Sequence, residues 1–201
     1  MLAPGFADGR PLARRLDAAG RRPEHPAVID EARLRGLIRS IPDFPAPGVL
    51  FRDITPLLHD PTALRETNDA LADAARDYGA TVVAGIEARG FIFGVPVAER
   101  LGAPFVPVRK PGKLPGERAS VFYELEYGRG SLELHRDPSV AGRRVVIVDD
   151  LLATGGTAAA AVRLIEELGG TVAGCAFVIE LTALGGRARL GATPVRALLA
   201  Y

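Results

Sequence analysis

Two adjacent carboxylates, Asp149 and Asp150, are followed four residues later by Thr154-Gly155-Gly156-Thr157. Side by side, the acids are acceptors for the hydroxyls of a sugar or, through water, holders of a divalent cation. The turn that follows, with Ala153 leading into it, offers bare backbone N–H groups, and its two threonines add hydroxyl donors. An Ala-rich stretch from Gly156 to Leu168 predicts a helix whose N-terminus lies in that turn, where the helix dipole favours an anion. Upstream, Val145-Val146-Ile147-Val148 is apolar without alternation, the pattern of a strand buried on both faces of a parallel sheet. Strand, acid pair, glycine turn and helix start together describe a receptor for a sugar phosphate.

This thirteen-residue run, Val145 to Thr157, resembles the phosphoribosyl-pyrophosphate (PRPP) signature of the type I phosphoribosyltransferases. The resemblance implies that Asp149 and Asp150 bind the ribose of PRPP. It gives Ala153, Thr154, Gly155, Gly156 and Thr157 to the 5′-phosphate. It also implies a type I phosphoribosyltransferase fold, α/β, with a twisted, mainly parallel sheet flanked by helices. A flexible hood loop and a small N-terminal base-binding region complete that fold.

A second cationic feature stands apart. Of 25 Lys and Arg residues, only Lys110 and Lys113 are lysines, and both fall in Arg109-Lys110-Pro111-Gly112-Lys113-Leu114-Pro115-Gly116. An ammonium on a flexible stem and a planar guanidinium are not interchangeable at an anion site. Two prolines and two glycines in eight residues predict an irregular surface loop, and a mobile cationic loop suits a reaction in which pyrophosphate leaves.

The 201 residues suffice for one well-buried domain. A net charge of +1 carries no footprint for general nucleic-acid or anionic-membrane binding. No apolar stretch reaches the ~20 residues of a membrane span, and the N-terminus has no signal-peptide core, so the expected location is cytoplasmic. The lone Cys175 sits in an apolar run, which argues for a small core residue and against a disulfide framework or zinc cluster. His25, His59 and His135 stand in no nucleophile or metal-ligand spacing. Neither a Walker phosphate loop nor a dinucleotide G-x-G-x-x-G fingerprint is present, which weakens the nucleoside-triphosphatase and dehydrogenase classes.

Residues 1–29, punctuated by Pro and Gly, read as a poorly ordered extension or an arm on a neighbouring subunit, with a brief helix at 12–19. The domain proper occupies 30–201. Asp30 is the expected cap of a helix with Leu34 and Ile38 inward that runs on toward Pro42. The segment from Ile41 to Pro56 reads as an extended, proline-pinned loop. Asp60-Pro61 predicts the next helix, ending near Gly79, with Leu64, Leu71 and Ala75 inward. Further strands are expected over 81–86, 104–108, 172–179 and 195–199, a helix over 91–101, and a hairpin of 120–124 with 131–135 around Tyr127-Gly128-Arg129-Gly130. Strands alternating with helices predict a parallel sheet whose ligands bind beyond the carboxyl ends of its strands. Loops at Glu87-Ala88-Arg89-Gly90, at the lysines, at Asp149-Asp150 and at Glu180-Leu181-Thr182 are then expected to converge on one cleft.

Several runs extend the resemblance in order from about residue 31 onward. Ile41-Pro42-Asp43-Phe44-Pro45 and Pro47-Gly48-Val49-Leu50-Phe51-Arg52-Asp53-Ile54-Thr55-Pro56 are similar to the N-terminal signature of adenine phosphoribosyltransferases. So are Ala88-Arg89-Gly90-Phe91, the lysine loop, Leu125-Glu126-Tyr127-Gly128 and Glu180-Leu181-Thr182. The resemblance implies adenine between Phe51 and Leu181, with main-chain groups of Leu50 and Arg52 reading its edge. It implies that Glu87, Ala88, Arg89 and Gly90 form a pyrophosphate loop that often holds a cis peptide. Arg109, Lys110 and Lys113 would close over the pyrophosphate, Arg109 in its own or a partner's site. Spacing alone leaves Glu124 and Glu126 equivalent, because two residues apart on a strand they share a face. The Glu-Tyr-Gly match selects Glu126 as general acid/base, and Tyr127 would flank the ribose or close the hairpin.

The activity implied is phosphoribosyl transfer from PRPP to adenine, giving AMP and pyrophosphate. The cofactor implied is Mg²⁺ carried by PRPP and touched by Asp149 and Asp150 through water, with no direct protein ligand. A homodimer is the family's typical assembly, and neither nucleic acid nor membrane is an expected partner. Two alternatives are a transferase for hypoxanthine, guanine or xanthine, and a non-catalytic PRPP sensor that binds nucleic acid.

Overall fold

The computed structural model describes residues 30–124, 129–136 and 140–201. The leading segment with its expected arm, short helix and His25 lies outside the described residues, as do Glu126 and Tyr127.

Asp30 caps α1 (Glu31–Gly36) by accepting a hydrogen bond from Arg33 N at 3.1 Å. This helix is shorter than the spacing of Leu34 and Ile38 predicts. Ile38 is buried beyond its end, and Arg39–Ile41 forms strand β1 instead. The reason is tertiary: β1 pairs antiparallel with β2 (Phe51–Asp53), inside the segment read as a plain loop, in the register Ile41 opposite Phe51. A short helix α2 (Thr55–His59) follows. Asp60 then caps α3 (Pro61–Asp77) as expected, its Oδ1 accepting from Thr62 N at 3.0 Å and Ala63 N at 2.9 Å.

The main sheet alternates with helices from there. Its strands are β3 (Val82–Ile86), β4 (Phe105–Val108), β7 (Arg144–Leu152), β8 (Thr171–Glu180) and β9 (Val195–Ala200). The helices are α4 (Arg89–Leu101) and α5 (Gly156–Glu167). Between β4 and β7, strands β5 (Arg118–Glu124) and β6 (Arg129–His135) pair as a separate antiparallel hairpin. Its second strand begins two residues nearer the turn than expected, with Tyr123 opposite Gly130 and Glu124 opposite Arg129.

All five strands of the main sheet are parallel, in the order β4-β3-β7-β8-β9. Counted along the chain, that is second, first, third, fourth, fifth, so the connections diverge between β3 and β7. A crevice opens where neighbouring connections run to opposite sides, at the carboxyl ends of those strands. One core packs α5 and the β5–β6 hairpin against the sheet through Val145, Ile147, Phe177 and Leu164. The other packs α1 to α4 through Val146, Val148, Val178 and Phe93. Alternate residues of β7 feed the two cores, which is why Val145 to Val148 carry no polar side chain. Cys175 is fully buried, and burial pushes its thiol up to about 12, as befits a small core residue.

Candidate active site

β7 continues past its apolar run, so Asp149 and Asp150 lie within its last four residues rather than after it. Asp149 pairs with Phe177 and Leu151 with Ile179 of β8, and this hydrogen bonding holds the two acids rigidly. Asp150 is only 2% exposed and Asp149 is half-buried. Burial pushes both carboxyls up, Asp149 well above the usual range, with the charge of its neighbour adding to the effect. The Arg89 guanidinium opposes the rise, Nη1 standing 3.1 Å from Asp150 Oδ2. That oxygen is sealed from solvent, and the Arg89 guanidinium is its charged neighbour.

The glycine turn follows directly. Gly155 adopts φ +79° before the first turn of α5, a conformation open to glycine at little cost. A Cβ on Gly155 would stand 2.3 Å from the carbonyl oxygen of Gly186, and one on Gly186 would stand 2.1 Å from that of Ala153. The turn is therefore clamped against the 3₁₀ segment Gly186–Leu190, a brace that no local sequence signal announced. With Gly155 fixed, the amides of the following turn open at the N-terminus of α5.

Across the crevice, β3 ends in Ile86 and α4 begins at Arg89. The Glu87–Ala88 peptide between them is cis. Gly90 lets α4 approach β7 closely, since a Cβ there would lie 2.7 Å from Val148 O and 3.1 Å from Asp149 Oδ1. Glu87 faces the lysine loop: it accepts from Arg109 Nε at 3.1 Å, Arg109 Nη2 at 3.3 Å and Lys110 N at 3.0 Å. These bonds, the Arg109 guanidinium first, lower its pKa. Arg109 also donates to Lys113 O at 3.1 Å, so in this state it serves its own loop.

That loop is more tightly held than its Pro and Gly content predicts. Leu114 is buried, Gly112 N donates to the buried Glu133 at 3.0 Å, and the backbones of Arg109 and Glu133 pair. Glu133 is invisible to sequence reasoning because it sits between two buried leucines of β6, Leu132 and Leu134. His135 meets Pro115 O at 2.9 Å, a structural role.

These elements enclose a crevice of about 570 Å³ at the β3/β7 divergence. It is lined by Glu87, Ala88, Arg89 and Lys110 on one side and by Asp149, Asp150 and Ala153 to Thr157 on the other. Tyr123 lines it too, its hydroxyl 3.5 Å from Thr157 Oγ1 and its ring lying where a side chain on Gly130 would be. Only the β5–β6 register reveals this tyrosine.

Leu50, Phe51, Arg52, Leu181, Gly90, Arg109 and Lys113 are not in the crevice wall. Phe51 is nonetheless its neighbour through Arg89, whose guanidinium carbon stands 5.9 Å from the ring centre while the same group pairs with Asp150. Phe51 also packs edge-on against Phe44, centroids 5.2 Å apart. Leu50 is exposed, and Leu181 is half-buried at the end of β8. The Arg52 side chain turns to the Tyr201 ring. Glu180 is buried and paired with Arg187, a structural role. Among the described residues, no group of three or more His, Cys, Asp or Glu is placed to hold a metal.

Comparison with known proteins agrees with this geometry. The family described as "Phosphoribosyl transferase domain" matches residues 53–193. An adenine phosphoribosyltransferase of Gloeobacter violaceus is 57% identical over 169 residues, 84% of this chain and 99% of that protein. One from Frankia casuarinae is 55% identical over 183 residues, 91% of this chain and 96% of its own. The crystal structure of adenine phosphoribosyltransferase from Thermoanaerobacter pseudethanolicus superposes with a TM-score of 0.82 at 51% identity, covering 85% of this chain and 99% of that one. The Saccharomyces cerevisiae enzyme, solved with an imino-altritol bisphosphate and adenine, superposes at 0.79 with 42% identity, over 84% of this chain and 98% of that one. On sequence and on fold alike, this chain belongs to the adenine phosphoribosyltransferase family.

Proposed function

We propose that this chain transfers the 5-phosphoribosyl group of PRPP to adenine, giving AMP and pyrophosphate, a purine-salvage reaction. The observation that carries it is the single crevice in which an anion cradle and a buried acid pair face Arg89, with Phe51 beyond it.

The 5′-phosphate sits on the N–H groups and hydroxyls of Thr154 to Thr157, where the α5 dipole assists. Asp149 and Asp150 accept from the ribose hydroxyls. The diphosphate meets Arg89, the amides of Ala88 to Gly90 and Lys110, with Lys113 closing from the loop. Adenine stacks on Phe51 under Leu181, and main-chain groups at Leu50 and Arg52 read its edge. Fixed donors and acceptors discriminate a 6-amino from a 6-oxo purine because the wrong base leaves them unpaired.

As adenine N9 bonds to C1 of the ribose, the bond from C1 to the pyrophosphate oxygen breaks. Glu126 takes the proton from N7, and the reverse reaction needs that same group as acid. Asp149 and Asp150 stabilise the cationic sugar ring, while Arg89, Lys110 and Lys113 offset charge on the departing pyrophosphate. Asp149 and Asp150 would hold Mg²⁺ through water beside the diphosphate. When bound, it neutralises phosphate charge. The loop held by Glu87 and Glu133 excludes water and so limits hydrolysis of PRPP.

We further assign a homodimeric assembly and a cytoplasmic setting. Among the described residues no helix is long and apolar enough to cross a membrane.

Incubation with PRPP, Mg²⁺ and each of adenine, hypoxanthine, guanine and xanthine tests the reading. AMP from adenine, with little product from the others, is the expected result. Turnover of a 6-oxo purine without adenine, or nucleic-acid binding that falls steeply with salt and no turnover, would replace it.

A further inference from the structure

Phe51, beside Arg52 on β2, and Leu181 form opposite walls of the proposed base site, yet Arg52 and Leu181 lie 129 positions apart in the chain and neither lines the phosphate crevice. One residue joins them. Tyr201, just beyond β9, brackets Leu181 with its main chain: Tyr201 N donates to Glu180 O at 2.9 Å. Its carbonyl accepts from Thr182 N at 2.8 Å and from Thr182 Oγ1 at 2.7 Å. The Tyr201 ring carries the Arg52 guanidinium carbon 3.8 Å from its centroid and that of Arg35 at 4.6 Å.

Residues alternate faces along a strand, so the Arg52 side chain and the Phe51 ring leave β2 on opposite sides. Holding Arg52 on the tyrosine therefore fixes the roll of β2, and with it the attitude of Phe51 and of the main chain at Leu50 and Arg52. Arg35 closes the other side, donating to Ala200 O at 3.1 Å and pairing with Glu31 at 2.7 Å. The Arg52 guanidinium also donates to Ser40 on β1. The Tyr201 hydroxyl is buried with Arg35 as its charged neighbour, and the face of the ring carries the contact with Arg52.

From this geometry we infer that Tyr201 is a positioning residue for base recognition: its ring–guanidinium stack on Arg52 sets the spacing of the two walls that hold the purine. The inference rests on the adenine reading above and adds a residue and a physical link to it.

Steady-state kinetics on the full chain test it, with adenine and PRPP varied separately. Tyr201→Ala should raise the KM for adenine about tenfold, the scale of a lost cation–π contact that orients a site. The KM for PRPP should stay within about twofold, because the cradle and acid pair are anchored elsewhere. Tyr201→Phe should keep the KM for adenine within about twofold of the unmodified protein, since the ring that stacks on Arg52 persists. Arg52→Met removes the cation while keeping the backbone. It should reproduce the Tyr201→Ala effect, and the double variant should be no worse than either single. If Tyr201→Ala fails to fold, Arg52→Met with Tyr201→Phe decides. An unchanged adenine KM, equal rises for both substrates, or a Phe variant as impaired as Ala would overturn the inference. An unmodified protein that ignores adenine while using another purine would instead overturn the function proposed above.

Discussion

Gly155→Ala isolates how the phosphate turn is built. At φ +79° an alanine pays about 1–2 kcal/mol for the left-handed conformation alone. Its Cβ would also stand 2.3 Å from Gly186 O, a backbone atom that cannot rotate aside. Relief requires the turn and the Gly186–Leu190 segment to separate, adding the about 1–3 kcal/mol typical of overpacking. The total is about 2–5 kcal/mol. For a chain of this size each kcal/mol lowers Tm by roughly 2–4 °C, so a fall of about 4–20 °C is expected. Gly102→Ala is the internal control: φ is +65° and no atom lies within 4 Å of its Cβ, so only the conformational cost applies.

Function should follow the same displacement. Moving the Thr154–Thr157 amides from the 5′-phosphate should raise the KM for PRPP at least about tenfold. Calorimetry on both variants, with kinetics in PRPP and in adenine, gives the answer. Equal melting temperatures for the two variants, or a normal PRPP KM in Gly155→Ala, would refute the clamp as the reason for glycine here.

Two further expectations concern charge. Glu126→Ala should cut turnover by about 10²–10⁴, the worth of a general acid/base, while PRPP binding by calorimetry persists; unchanged turnover would remove Glu126 from that role. The acid pair should make the ligand-free protein pH-sensitive. Because both folded-state pKa values are raised, the native state holds more protons than the unfolded chain just above the ordinary carboxyl range. Stability contributed by the pair therefore falls as pH rises through that window. Asp149→Asn avoids the second charge, so urea unfolding should show it gaining on the unmodified protein as pH climbs. A difference constant with pH would contradict the raised values.

Much of the site was legible because its parts are short and contiguous. The run from Val145 to Thr157 encodes strand, acids, turn and helix start within thirteen residues, each with a local physical signature. Asp60-Pro61 fixed its helix the same way, through side-chain bonds that span three residues. Where periodicity met a partner far along the chain it failed: the spacing of Leu34 and Ile38 favoured a longer helix, but pairing of Arg39–Ile41 with Phe51–Asp53 ended it.

The amino-acid sequence alone determined the chemistry available to this protein, namely an anion cradle, an acid pair and a cationic loop, along with the order of strands and helices that carry them. Only the tertiary structure decided which of those groups meet. The divergence between β3 and β7 put Arg89 between Asp150 and Phe51, Gly186 against Gly155, Glu133 under the lysine loop and Tyr201 against Arg52. Each of these contacts joins residues 21 to 149 apart in the chain, where nothing local in either partner foretells the other; packing of the sheet against its two layers selects them.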